Sequence, residues 1–266
     1  MRRIARPWVS RIAALGGALG GAGAITSACG DFSSSAPPAP DAAPPEASTG
    51  PADAAPPLWD GACFPGAFCD NFERSAPRGL GWDLAVVAPD SGTLAIETPP
   101  WSAVGGRALR ATSARDAAGA VAALFHTTDL GSHFGMSFKI SVDAFPQRLV
   151  LGPAFLGRDS TGDALGVAFG SKAVLYQARV GVESTVTDLG DITPNTWHRI
   201  SLEVRRKAGA PDSEGAVFVT IDESTVQVPL VSLLISISSG ATAGITTAID
   251  EAATLHVDDF VFFNEP

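Results

Sequence analysis

The chain has 266 residues, 45% of them hydrophobic and 17% charged, with a formal net charge of -10. That acidic balance argues against a nucleic-acid partner, because binding phosphate backbones depends on Lys and Arg. The sequence has only three cysteines and only one tyrosine, and it carries no G-x-S-x-G elbow, no phosphate-binding glycine loop, no dinucleotide fingerprint and no H-E-x-x-H zinc pair.

The first eleven residues hold Arg2, Arg3, Arg6 and Arg11 without an acid, and residues 12–25 are uncharged and rich in Ala, Leu and Gly. A basic start followed by a short apolar stretch is the pattern of a secretion signal, too short and glycine-rich to span a bilayer. Small residues Ser27 and Ala28 then precede Cys29. Thr26-Ser27-Ala28-Cys29 resembles the lipobox of bacterial lipoproteins, although Thr26 stands where that family prefers Leu. The resemblance implies a signal peptide over 1–28, acylation of Cys29 (a palmitate label is the expected mark), and an exported domain held at a bacterial cell membrane or outer membrane. Loss of the four leader arginines takes the formal charge from -10 to about -14.

Residues 29–60 are mostly Pro, Ala, Ser, Asp and Glu, with eight prolines and no Lys or Arg. Such a segment cannot bury enough apolar surface to offset the entropy of ordering, so it reads as an extended, disordered tether. Cys63 and Cys69 follow closely. With Cys29 removed from redox chemistry by acylation, these two form a natural short disulfide in an oxidising compartment.

Residues 61–266 read as strands throughout. Phe134, Met136, Phe138, Ile140 and Val142 alternate with Gly135, Ser137, Lys139, Ser141 and Asp143, which predicts one buried and one wet face. The same period recurs at Leu165, Val167 and Phe169; at Val174, Tyr176 and Ala178; at Ile200, Leu202 and Val204; and at Val217, Val219 and Ile221. Turn signals such as Thr193-Pro194-Asn195 separate the runs. The pattern predicts an all-β, two-sheet antiparallel sandwich or jelly roll. The run from Leu230 to Ile237 fits either a buried strand or a short helix.

Three stretches, Phe68-Cys69-Asp70-Asn71-Phe72-Glu73, Asn195-Thr196-Trp197-His198-Arg199-Ile200-Ser201-Leu202-Glu203-Val204, and Leu255-His256-Val257-Asp258-Asp259-Phe260-Val261-Phe262-Phe263, together resemble the concanavalin A-like lectin/glucanase jelly roll in its laminin-G-like branch. The resemblance implies paired first and last strands, and a structural calcium held by Glu73 and Asp258. It also implies a glycan as partner. Retaining glucanases of that superfamily need two carboxyls about 5 Å apart, set by an E-x-D-x-E strand. No such pattern is present, so the sequence is read as no enzyme. The expectation is a non-catalytic carbohydrate-binding module, with an envelope structural or adhesion domain binding a protein partner as the alternative and a polysaccharide hydrolase as the remote one. Trp101 is the candidate stacking ring, and Gln177, Arg179 and Glu183 are the candidate polar face beside Tyr176. Trp82 and Trp197 are read as core residues and His198 as a packed histidine.

Overall fold

In the computed structural model, alternating apolar residues form strands and nothing else. The structure describes residues 63–79, 81–87, 92–99, 106–114, 120–157, 163–179, 182–206, 215–230, 239–248 and 251–265. The leader, Cys29, the tether, Trp101 and the run after Leu230 lie outside the described residues.

Fifteen strands follow in chain order: β1 (Phe68–Asp70), β2 (Leu84–Val87), β3 (Gly92–Glu97), β4 (Ala108–Ser113), β5 (Ala120–Thr128), β6 (His133–Val142), β7 (Val150–Gly157), β8 (Ala164–Phe169), β9 (Ala173–Arg179), β10 (Val182–Gly190), β11 (His198–Arg206), β12 (Gly215–Ile221), β13 (Ser224–Pro229), β14 (Ser239–Ala248) and β15 (Ala253–Glu265). They make two sheets. One runs β13-β12-β11-β6-β15-β4-β3, with β1 also paired to β15, and the other runs β10-β9-β8-β7-β14-β5-β2. Neighbours are antiparallel throughout, for example β6 with β11 and β7 with β8. The expected sandwich is therefore present.

The predicted alternation sets the core. Phe134, Met136, Phe138, Ile140 and Val142 on β6 face Leu165, Val167 and Phe169 of the other sheet within one apolar cluster. The opposite face of β6 is drier than the alternation implies, because Ser137 and Ser141 are also buried. Neighbouring side chains cover them. Trp82 is core as expected, whereas Trp197 is only half-buried.

Strict alternation breaks once in β15, and the break matters most. Asp258 pairs with Lys139 but Val261 pairs with Ser137, so β15 carries one extra residue between these pairs. Asp259 takes up the bulge at φ 47, a left-handed conformation that Asp tolerates better than most residues. The side chains change parity across it. Leu255 and Val257 face the core before the bulge, and Phe260 and Phe262 face it after. His256 is left on the outer face upstream, and Val261, Phe263 and Glu265 are placed there downstream.

The first and last strands pair as the resemblance implies: Phe68 lies opposite Phe262, and Asp70 opposite Phe260. Asp70 then turns the chain. Its carboxylate accepts hydrogen bonds from Phe72 N at 2.8 Å and Trp82 Nε1 at 2.5 Å, and pairs with Arg74.

The seven-stranded sheet has its own irregularity. Pro153 lacks an N–H for the ladder, and pairing of β14 with β7 lapses between Ala241 and Thr247. Thr242 Oγ1 fills the gap, lying 3.0 Å from both Ala154 N and Ala154 O, while Thr246 Oγ1 donates to Gly152 O at 2.8 Å. Side-chain hydroxyls thus replace ladder bonds that the proline forfeits.

Gly135 tests the packing of the eight-stranded sheet. A Cβ there would lie 2.3 Å from the Phe263 ring and 2.8 Å from Leu202 O. Gly135→Ala is expected to cost about 2 kcal/mol, an overpacking penalty, read as a lowered midpoint of thermal or urea unfolding; an unchanged midpoint contradicts this packing.

Candidate functional site

The two outer faces of the sandwich differ in chemistry. On the seven-stranded sheet, Leu151, Ala154, Ala164, Ala168 and Ala178 form a small apolar cluster with Leu156, Val174 and Tyr176 packed against it, and Leu84 and Val186 are exposed on its flanking strands. This face offers little to hydrogen-bond a sugar. On the eight-stranded sheet, alternate residues of β6, β11 and β15 carry charge, because their other parity is committed to the core.

Two histidines organise that charged face. His256 is 1% exposed; its Nε2 hydrogen-bonds Glu97 Oε1 at 3.2 Å, and its Nδ1 lies 3.2 Å from Asp143 Oδ1. Arg110 Nε is 3.5 Å from the same Glu97 oxygen. Burial pushes the Asp143 carboxyl up, and the neighbouring His256 and Arg110 partly offset that. Ser141 lies opposite His256, yet it is fully buried and both imidazole nitrogens already face carboxylates. Ser141 is therefore not placed as an activated nucleophile, and the cluster is an ionic clasp joining β3, β15 and the end of β6 around a buried imidazole.

His133 is different because solvent reaches it, its side chain being 32% exposed. Its Nε2 lies 2.7 Å from Glu203 Oε1 and its Nδ1 2.8 Å from Glu265 Oε2. Each ring nitrogen thus faces a carboxylate oxygen within hydrogen-bond distance. Glu203 is nearly buried and also accepts from Arg205 Nε at 2.6 Å. The Arg205 guanidinium stacks 4.7 Å above the Phe218 ring. Glu265, 65% exposed, is the most exposed member of the set. Below lies the Phe263 ring, 5.0 Å from His133 and seated over Gly135. A proton donor, two carboxylates, a guanidinium and flanking rings therefore share one open patch. It was not singled out from the sequence, where the four histidines are widely scattered; the usable signal was the match of charged parity across β6, β11 and β15.

The named sequence candidates fare unevenly. Cys63 and Cys69 are bonded, with Cα atoms 5.8 Å apart. Gln177 is not on a wet face: it is 3% exposed and its Nε2 donates to Pro229 O at 3.3 Å. β9 turns Ala173 and Leu175 into the main core and Val174 and Tyr176 outward, the reverse of the expected parity, because the strand is apolar on both faces and alternation cannot orient it. The side chains of Arg179 and Glu183 lie outside the described residues. His198 is packed as expected: its Nδ1 pairs with Asp222 at 2.8 Å, and its Nε2 accepts from Thr193 N at 3.0 Å.

Glu73 and Asp258 are brought near the same bulge, but each is engaged. Glu73 Oε1 accepts from Arg107 N at 2.8 Å, Asp258 Oδ1 accepts from Asp259 N at 2.8 Å, and Lys139 Nζ holds Asp259 at 2.6 Å. Among the described residues no group of three or more His, Cys, Asp or Glu is arranged for a metal ion. This donor set falls short of the six to eight oxygens calcium takes, and no chemistry is assigned to calcium.

Burial raises the Asp258 carboxyl from 3.8 to about 6, and the nearby charges of Asp259 and Glu73 add to the rise. The folded protein therefore holds that proton more tightly than the unfolded chain does. Stability is lost as pH rises from about 4 to 6, and the full cost is present above 6. Asp258→Asn is expected to raise stability at pH 8 by about 1 kcal/mol, allowing for screening of a part-exposed group, and to flatten the pH dependence of urea unfolding between 4 and 6. A loss of stability at pH 8 contradicts the assignment.

No family model and no curated protein matches the chain. Among solved structures, the alginate lyase Aly36B aligns at TM-score 0.52 and 12% identity, covering 76% of this chain and 98% of that one. A double variant of the same lyase in complex with alginate tetrasaccharide aligns at 0.51 and 13%, with the same coverage. Another, in complex with alginate trisaccharide, aligns at 0.50 and 13%, covering 77% and 100%. These likenesses show the jelly-roll fold. They stand against the expectation of a non-catalytic module and of no enzyme, since the structures aligned are those of an alginate lyase. The missing E-x-D-x-E pattern bears on hydrolysis by paired carboxyls, and a lyase does not use that reaction.

Proposed function

We propose that the sandwich cleaves an exported, uronate-bearing polysaccharide by β-elimination on the outer face of its eight-stranded sheet. The observation that carries this reading is His133, held between Glu203 and Glu265 beside Arg205 on an open surface. The lyases that share the fold support the substrate class.

Each group has a role. Arg205 pairs with the substrate carboxylate and makes the adjacent carbon's proton more acidic. Glu265, the most exposed of the set, takes that proton. The released electron pair forms a carbon–carbon double bond as the bond to the glycosidic oxygen at the β-carbon breaks, and the His133 imidazolium protonates the departing oxygen. Glu265 is then protonated and His133 neutral. Their 2.8 Å contact returns the proton directly to the imidazole and resets the site. Glu203, nearly buried, fixes both His133 and Arg205 and supplies countercharge to each.

The signal-like leader and the lipobox-like Thr26-Ser27-Ala28-Cys29 support an exported, anchored site. Cys29 carries lipid, and residues 29–60 tether the domain away from a bacterial membrane surface.

With polymers of mannuronate, guluronate, glucuronate and galacturonate as substrates, at least one is expected to give the ultraviolet absorbance of an unsaturated uronate. His133→Ala and Glu265→Gln each lower that rate by about a hundredfold or more. No unsaturated product from any polymer, or undiminished rates in both variants, contradicts the proposal. Separately, labelled palmitate is expected on the expressed protein and absent from Cys29→Ser; label retained in that variant, or missing from both, contradicts the anchor.

A further inference from the structure

We infer that Phe64, presented by the loop that the Cys63–Cys69 disulfide closes, is a sugar-stacking subsite at one end of the His133 site. This rests on the reading of that face as a polysaccharide platform and names a residue that the chemistry above does not use.

The placement follows from register. β15 pairs with β4 through Val257 and with β1 from Phe260 to Phe262, so the chain preceding β1 runs alongside the last residues of β15. Cys69 lies opposite Val261, an outer-face position. The bond to Cys63 folds the loop back toward that face, helped by Ala67 N donating to Phe64 O at 3.1 Å and by Gly66 at φ 91. Phe64 ends with its ring centroid 6.4 Å from Phe263, whose ring is 5.0 Å from His133.

Phe263 is buried, but Phe64 remains 37% exposed. Among the described residues it is one of five exposed large apolar side chains, and it is held by a covalent loop next to charged groups. From β1 through β15, β6 and β11 to β12 the strip spans about 19 Å at ordinary strand spacing. The exposed ring stands at one end and the Arg205–Phe218 stack at the other. That length suits several sugar rings, and the C–H face of a pyranose matches an aromatic ring held rigid at low entropic cost.

The test is titration calorimetry on the full chain carrying His133→Ala, with tetrasaccharides of mannuronate, guluronate, glucuronate and galacturonate as probes. At least one is expected to bind, with affinity about tenfold weaker once Phe64→Ala is added and restored by Phe64→Tyr. Cys63→Ser with Cys69→Ser is expected to weaken binding to a similar extent. Thermal melts of the Phe64 variants should match the parent, because the ring is surface-exposed. Equal affinity with and without the Phe64 ring overturns the inference, as does absence of binding to all four probes. Binding that depends on Phe64 in a protein that cuts no polymer refutes the elimination chemistry alone, and cleavage with binding indifferent to Phe64 refutes this subsite alone.

Discussion

The structure turns on the single extra residue in β15. A strand that pairs with β6 along one side and with β4 and then β1 along the other cannot keep its apolar residues inward over thirteen positions unless its parity is corrected where the neighbours change. Asp258 and Asp259 make that correction. Removing one residue would turn Phe260 and Phe262 toward water and drive Val261, Phe263 and Glu265 into the core. The cost of the bulge is visible in the Asp258 carboxyl, which burial holds at about 6. Lys139, reaching from β6 to Asp259, offsets part of it.

The candidate site is a consequence of the same correction. Because the downstream half of β15 is rephased, Glu265 stands opposite His133, and Phe263 caps the hole above Gly135. β11 contributes from the other side of β6, with Arg205 opposite His133 and Glu203 opposite Gly135. The upstream half, not rephased, instead delivers His256 into a clasp with Glu97 and Asp143. One strand thus builds two histidine–carboxylate assemblies, with the imidazole buried in one and reached by solvent in the other.

Much of the fold was legible in the residues. Alternation at Phe134–Val142, Ile200–Val204 and Val217–Ile221 identified central strands of the eight-stranded sheet, since each has one strongly apolar parity. The change of parity at Asp258-Asp259 was not read from the residues, because a bulge shows only in the register with β6. β9 could not be oriented the same way, because Val174 and Tyr176 are as apolar as Ala173 and Leu175, and that ambiguity misplaced Gln177. The site was hidden for a related reason: His133, Glu203, Arg205 and Glu265 lie far apart in the chain, and register alone joins them. The motifs sought in the sequence were those of paired-carboxyl hydrolysis, serine hydrolases, nucleotide binding and zinc; β-elimination carries no such local motif.

On the proposed reading, substrate meets the eight-stranded sheet's outer face and not the apolar face around Tyr176. Amide chemical-shift mapping of the full chain carrying His133→Ala, titrated with a uronate tetrasaccharide, separates the two faces. Shifts are expected at residues 133–137, 203–205 and 261–265; shifts concentrated on β8, β9 and β10 around Tyr176 refute the placement.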